Sequence, residues 1–446
     1  GWLVRFFDLL VANQDWIQVT TPAEAYRNLT PLGKVYLPDG SYREMTEWAL
    51  PTEQQLAYES IRADMQDDPR WSQLAPFIRG GFWRNFKIKY SEANEMYSRM
   101  MMVSERLEDA HVQGADAEIL DSAKQELYRG QCNCAYWHGA FGGIYLPHLR
   151  NSVYHHLIKA ENWIDRAMGK TGTWIEASAF DYNLDSRQEV RLTNDRLIAL
   201  ISPAEGGQLY ELDVRSIAHN LLASLRRRSE SYHQKVSSGS SQGGHGTSSI
   251  HDRVVFKQEG LDERLQYDAW PRKSLLDHFF DADVSLEQVA AGAITDPGDF
   301  ISGIYEARLR RSTDRIQLLL SRTGRAFDYP LKITKGITME SGSGTVEIAY
   351  LLEGVPQEHP LHFAVEFNFS GLPAGVDNRY YYRGDGERLG QLGDRLDLQD
   401  TQSIGLVDEW LGIDLKLSMD RPTQFWAFPV ETVSQSEGGF ELVHQS

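Results

Sequence analysis

Near Gly169 the sequence changes its period, and no single repeated architecture accommodates both halves. Upstream, apolar residues recur every three or four positions, the spacing of one helix face. Ser91 opens a helix with Ala93, Met96, Tyr97, Met100, Val103 and Leu107 on one stripe. Methionine at that spacing reads as core filler. A second helix is expected over 117–129. A third spans 147–169, with Leu149, Val153, Leu157, Ala160 and Ile164 inward and Gly169 as its stop. His155 and His156 on that helix read as surface or half-buried side chains.

Downstream the pattern breaks into short strand-like runs at 174–182, 190–193, 196–202 and 208–214, with Asn194-Asp195 marking a tight hairpin. Similar runs recur at 316–321, 331–338, 345–352, 362–369, 413–417 and 424–429. Many short strands divided by turn residues argue an all-β sandwich.

Residues 1–50 alternate the two periods. Leu3, Phe6, Phe7, Leu10 and Val11 fall at helical spacing. A short strand follows at 17–20, then Thr21-Pro22-Ala23-Glu24, which reads as a capping box with proline at the first helical position. Residues 34–37 form a second short strand. This is the rhythm of a β/α barrel or a doubly wound sheet. In barrels, loops at the carboxyl ends of strands build the active site. The loop over 38–51 therefore offers Glu44, Glu47 and Trp48 as ligand contacts. The alternative is a solvated helix start with two acids near the positive end of its dipole.

Residues 130–150 gather Tyr136, Trp137, His138, Phe141, Tyr145 and His148 around Gly139, Gly142 and Gly143. Glycine permits close backbone approach. Aromatic rings with polar tips suit a ligand that is half apolar and half hydroxylated, as a pyranose is. The bland reading is that these rings plug a gap in the core.

Composition narrows the partners. Hydrophobic residues make up 41% of the chain and charged residues 24%, as in ordinary globular proteins. A formal net charge of −18 repels nucleic acid and anionic membrane surfaces. No run is long and apolar enough to cross a membrane, and no signal peptide is visible. The two cysteines, Cys132 and Cys134, exclude a disulfide framework. They lack a second ligand set at zinc spacing and read as small buried residues, in keeping with a reducing cytoplasm. Neither metal nor cofactor is expected. Residues 235–249 are Ser/Gly-rich, lack the context of a phosphate loop, and read as a mobile loop. Arg226-Arg227-Arg228 is expected to pair with carboxylates in so acidic a chain.

The motif Tyr136-Trp137-His138-Gly139 with Phe141-Gly142-Gly143-Ile144-Tyr145-Leu146-Pro147-His148-Leu149-Arg150 resembles glycoside hydrolase family 57, in its 4-α-glucanotransferase and α-amylase branch. Ser41-Tyr42, Glu44-Met45, Glu47-Trp48 and Leu50-Pro51 resemble it again, as do residues 79–86, the polar blocks at 250–253, 267–268 and 276–279, and 434–439. Some relatives carry Asp where Cys134 stands, so no acid role is assigned there.

The resemblance implies an α+β multidomain protein. Residues 1–50 would end a β/α barrel, 51–169 form a helical region closing the active-site face, and 170–446 a β-sandwich short of one or two strands. It also implies a retaining α-glucan enzyme whose two carboxylates lie on the barrel upstream of Gly1, so no catalytic residue is assigned in this chain. The chain opens within a helical pattern without an initiator methionine and reads as a fragment. The expected partner is an α-1,4-glucan or maltooligosaccharide, contacted by Trp48, Glu44, Glu47, Tyr136, Trp137 and His138, with Trp48 and Trp137 facing one cleft. The 4-α-glucanotransferase reading comes first. An α-amylase-type hydrolase, or a stand-alone glycan-binding or scaffold protein, are the alternatives. The sequence does not give the oligomeric state.

Overall fold

The computed structural model describes residues 1–36, 41–139, 141–238, 255–370, 374–436 and 438–446. The chain forms two compact units, Gly1–Ser41 and Tyr42–Ser446.

The first unit holds helices α1 (Trp2–Ala12) and α2 (Pro22–Asn28). The expected capping box forms: Thr21 Oγ1 accepts from the Glu24 amide, and Glu24 accepts from the Thr21 amide. The strands expected at 17–20 and 34–37 do not form among the described residues. A strand needs a neighbour to take its N–H and C=O groups. These segments have β-type composition, but among the described residues no strand lies beside them, and 17–20 and 34–36 stay irregular.

The second unit opens with α3 (Arg43–Trp48), α4 (Thr52–Met65), α5 (Trp71–Leu74) and α6 (Trp83–Lys89). The expected long helices follow as α7 (Ser91–Val112), α8 (Ala117–Gly130) and α9 (Pro147–Ala167). Asp116 caps α8 by accepting from the amides of Glu118 and Ile119, and α9 ends ahead of Gly169, whose φ is +79°. The inward stripes of these helices form one core with Phe86, Tyr90, Tyr136 and Tyr145. His155 and His156 are half-buried, as expected. His155 meets the Ala218 carbonyl, and His156 lies 2.6 Å from Glu126.

Beyond Gly169 an antiparallel meander forms a five-stranded sheet: β1 (Ile175–Phe180), β2 (Glu189–Asn194), β3 (Leu197–Ser202), β4 (Gln208–Val214) and β5 (His219–Asn220). Asn194 shapes the β2–β3 turn by accepting from the amides of Arg196 and Leu197. After β6 (Leu276–Phe280), a second antiparallel sheet is built from β7 (Glu306–Arg311), β8 (Arg315–Ala326), β9 (Tyr329–Glu340) and β10 (Val346–Glu353). Val190, Leu192, Ala199 and Ile201 of the first sheet share a core with Leu318, Leu320, Ile333 and Ile337 of the second. This is the sandwich the alternation predicts.

The opposite face of the first sheet is buried too, and it is ionic. Arg99 of α7 contacts Glu161 at 2.5 Å, Glu211 at 2.6 Å and Asp213 at 3.2 Å. Arg191 also contacts Glu161, and Arg106 and Arg215 contact Asp165 at 2.7 and 2.9 Å. Period-2 alternation thus sends one set of β2–β4 side chains into the sandwich core and the other into a charge-balanced layer under the helices. Removing one member would strand a buried charge, which typically costs about 3–5 kcal/mol.

The remaining strands are β11 (His362–Glu366), paired with β6; the sheet of β12 (Arg379–Arg383), β13 (Arg388–Gln391), β14 (Leu396–Asp408) and β15 (Ile413–Ala427); and the hairpin β16 (Glu431–Ser436) with β17 (Gly439–His444). The two runs expected at 413–417 and 424–429 belong to one strand, β15, whose pairing with β14 shifts register midway. The polar residues between those runs concealed their continuity.

Residues 233–237 form helix α10, so the Ser/Gly-rich run begins inside a helix rather than a loop. Val236 packs with Tyr232, Leu261, Val433 and Phe440, which supplies the apolar contact the composition of the run obscured. The remainder of that run, beyond Ser238, and residues 250–253 lie outside the described residues. Helix α11 (Leu286–Ala291) is capped by Ser285. Arg227 pairs with Asp268 at 2.6 Å, and Arg228 pairs with Glu92, as the acidic composition led us to expect.

Candidate functional site

Three segments meet within the second unit, two of them glycine-bearing. The amide of Gly81 donates to the Thr46 carbonyl of α3 at 2.7 Å. A Cβ at Gly80 would lie 2.3 Å from that same oxygen. A Cβ at Gly139 would lie 2.4 Å from the indole of Trp48. Gly143, at φ +56°, passes so close to Trp137 that a Cβ would fall 1.8 Å from its carbonyl oxygen. These glycines let α3, the turn before α6 and the aromatic loop approach closely, backbone to backbone at Gly80 and Gly143 and backbone to side chain at Gly139.

The aromatic residues are layered on this junction. Trp137 lies 4.6 Å, centroid to centroid, from both Trp83 and Phe86, which stack on each other. Trp48 covers Gly139 and meets Tyr42 edge-on at 6.3 Å. Gly139 is two residues from Trp137, a span of at most ~7 Å along the backbone. The structure therefore brings Trp48 and Trp137 to one junction, each half-buried. Tyr42 and Phe141 nearby in sequence are exposed.

The other expected contacts divide. Glu44 is part-exposed and pairs with Arg43 at 2.7 Å. Glu47 is buried and held by Arg62 at 2.7 Å and Arg43 at 3.2 Å. Burial raises its carboxyl above the ordinary range despite both arginines. Tyr136 is interior, and its hydroxyl donates to the Gly130 carbonyl at 2.8 Å.

His138 is also interior, 3% exposed. Its Nδ1 lies 2.8 Å from the Gly142 carbonyl and its Nε2 3.1 Å from the Tyr232 hydroxyl. Burial pushes its pKa down to about 4. The neutral ring therefore donates from Nδ1 to the carbonyl and accepts at Nε2, and it braces the loop from beneath.

Cys132 and Cys134 are exposed thiols, contrary to the buried reading. Cys132 precedes a short 3-10 turn, Asn133–Tyr136, and Cys134 lies within it; the buried side of that turn is supplied by Ala135 and Tyr136 instead.

Sequence reasoning missed the residue that ties the site together. Glu230 is buried. Its Oε1 accepts from Tyr90 and from Tyr145, each at 2.7 Å, while its Oε2 lies 3.3 Å from Lys89. Lys89 also donates to the Trp48 carbonyl at 3.3 Å. One carboxylate thus joins α3, the α6–α7 junction and the aromatic loop. Burial opposes its charge, yet Lys89 and the two tyrosine donors hold the carboxyl below its usual value. The local sequence, three arginines followed by Ser229 and Glu230, carries no sign of this role. Arg150, last residue of the aromatic motif, likewise reaches the far end of the chain. It donates to Gln445 at 2.7 Å, and Gln445 donates to the Tyr145 carbonyl at 2.9 Å.

The family model for the C-terminal domain of α-amylase/4-α-glucanotransferase matches residues 181–446. The chain belongs to this family. A second model, the middle domain of α-amylase/4-α-glucanotransferase, matches residues 81–164. The α-amylase 1 of Dictyoglomus thermophilum is 33% identical, over 100% of this chain and 62% of that relative. The 4-α-glucanotransferase of Thermococcus kodakarensis is 31% identical, over 100% of this chain and 61% of that relative. The crystal structure of 4-α-glucanotransferase from Thermococcus litoralis superposes with a TM-score of 0.72 at 29% identity, covering 100% of this chain and 62% of that one. This member of the α-amylase/4-α-glucanotransferase family therefore spans about three fifths of the relatives it matches. No helix among its described residues is long and apolar enough to cross a membrane.

Proposed function

We propose that this chain supplies the glucan-facing middle and C-terminal portion of a retaining enzyme acting on α-1,4-linked glucans, and that the catalytic carboxylates are not among its residues. The observation that carries this reading is coverage. All of the chain matches family members, but only 61–62% of their length is matched. The acids of α3 support it. Retaining glycosidases use two carboxylates about 5–5.5 Å apart, one kept as an acid and one free as a nucleophile. Glu44 and Glu47 share Arg43, and Glu47 is further held by Arg62, which suits anchoring rather than attack on a sugar.

The half-buried faces of Trp48 and Trp137 would carry the apolar side of a glucose ring, with Glu44 at the hydroxyl edge. Glu47, Tyr136 and His138 would fix the loops that present them. Transfer to a sugar acceptor is the first reading, in line with the Thermococcus relatives, which are 4-α-glucanotransferases by name. Hydrolysis is the second, in line with the Dictyoglomus relative, an α-amylase by name. Incubation of the purified chain with maltoheptaose tests the assignment. The products are expected to be unchanged in length. Robust turnover that Glu44→Gln or Glu47→Gln abolishes would overturn it.

A further inference from the structure

A cavity of about 70 Å³ lies between α7 and the first sheet, and none of its lining residues belongs to α3, α6 or the 136–150 loop. We propose that it binds one small polyhydroxyl molecule, a single hexose unit or a polyol of similar size. The volume would hold roughly five waters at ~10–15 Å³ each, which fits one such molecule and not a chain.

The lining is rich in acceptors. Gln208 is 2% exposed; its Nε2 donates to Glu205 at 2.9 Å, but its Oε1 is buried without a hydrogen-bond partner. A buried amide oxygen left unpaired is costly, so a donor arriving there is rewarded. Glu189 accepts from the backbone amide of Tyr182 at 2.9 Å, and Glu95 meets Lys273 at 2.5 Å. Arg99, the guanidinium at the cavity wall, is spent on Glu161, Glu211 and Asp213. An anionic ligand would find no free cation in that guanidinium and three facing glutamates. A metal ion fits no better, because no group of three or more His, Cys, Asp or Glu among the described residues is placed to hold one. Burial lifts the Glu95 and Glu189 carboxyls to about 7, which lowers the reward for an organic cation near neutral pH. Met102, Leu200 and the Tyr210 ring supply an apolar wall for the C–H face of a ring. Donor-rich hydroxyls on a small apolar frame match this lining on both counts.

Titration calorimetry on this chain tests the site with glucose, glycerol and maltoheptaose as probes. Glucose is expected to bind saturably in the millimolar range. Gln208→Leu, which removes the unpaired acceptor, is expected to weaken it about tenfold. Asn94→Leu, at a half-buried position of α7 that lines the cavity, keeps the test decisive should the first variant fail to fold. Weakening of glucose and maltoheptaose together by these variants assigns the site to a glucan chain end. Weakening of glucose alone assigns it to a free hexose, and of glycerol alongside glucose to polyols in general. No saturable binding of glucose, or glucose binding that a folded Asn94→Leu protein retains at full strength, would overturn the proposal. The site does not depend on the α-glucan reading above.

Discussion

Tyr145 donates its hydroxyl hydrogen bond to Glu230, 85 residues further along the chain, at 2.7 Å. Tyr90 donates to the same oxygen at the same distance, and Lys89 faces the other oxygen. The aromatic loop and the α6–α7 junction are therefore held by a single buried carboxylate, and Lys89 passes that restraint to the backbone of Trp48.

Glu230→Ala is expected to destabilise the second unit by about 3–5 kcal/mol, because it leaves Lys89 buried without its partner and two hydroxyls without an acceptor. Tyr145→Phe removes one bond to a charged group and is expected to cost about 1.5–3 kcal/mol. Urea denaturation of the two variants checks the order. Equal stability of Glu230→Ala and the parent chain would remove Glu230 from the centre of the site.

His138 makes stability depend on pH in a known direction. Its folded pKa of about 4 lies below the ordinary 6.5, so between those values the unfolded chain binds a proton that the folded chain refuses. Stability contributed by the neutral ring is complete above pH ~6.5 and declines as pH falls towards 4, by about 3 kcal/mol in total. Glu95 and Glu189, whose carboxyls are lifted to about 7, push the opposite way as pH falls. The measurement is therefore the difference between the parent and His138→Gln at pH 7 and pH 5. The variant should lose less stability on acidification. An identical loss in both proteins would contradict the buried, neutral ring.

The part of this architecture legible in the sequence is the part set by neighbours. The α7 stripe, the Thr21 capping box and the Asn194 turn each depend on residues a few positions apart, and each formed. Strands without local cues were missed. β14, with Asp397, Gln399, Asp400 and Gln402 along it, reads as a polar loop until its long pairing with β15 is seen. The strands expected at 17–20 and 34–37 failed for the converse reason, since composition favoured them but no strand among the described residues pairs with them. Within the site, glycines and aromatics were legible as a cluster. Which of them face outward was not, because Tyr145 is held by Glu230 and Gln445, and His138 by Tyr232, all far away in sequence.

Gly139→Ala probes the junction itself. No special backbone angle is required there, but the added methyl would sit 2.4 Å from the Trp48 ring. The indole must move, and overpacking of this kind typically costs about 1–3 kcal/mol. A thermal melt and the tryptophan emission spectrum should both shift. A variant with unchanged melting and emission would show that Trp48 does not rest on Gly139.

The glucan-facing role of the junction is tested most directly by the affinity of this chain for maltoheptaose, measured calorimetrically before and after Trp48→Ala. Losing an aromatic anchor from a ligand contact typically costs about 2 kcal/mol or more, which is at least a tenfold loss of affinity. We expect the parent chain to bind, and the variant to bind at least about tenfold more weakly with its circular dichroism unchanged. Undiminished binding by a folded Trp48→Ala protein, or no binding by the parent chain, would contradict the assignment.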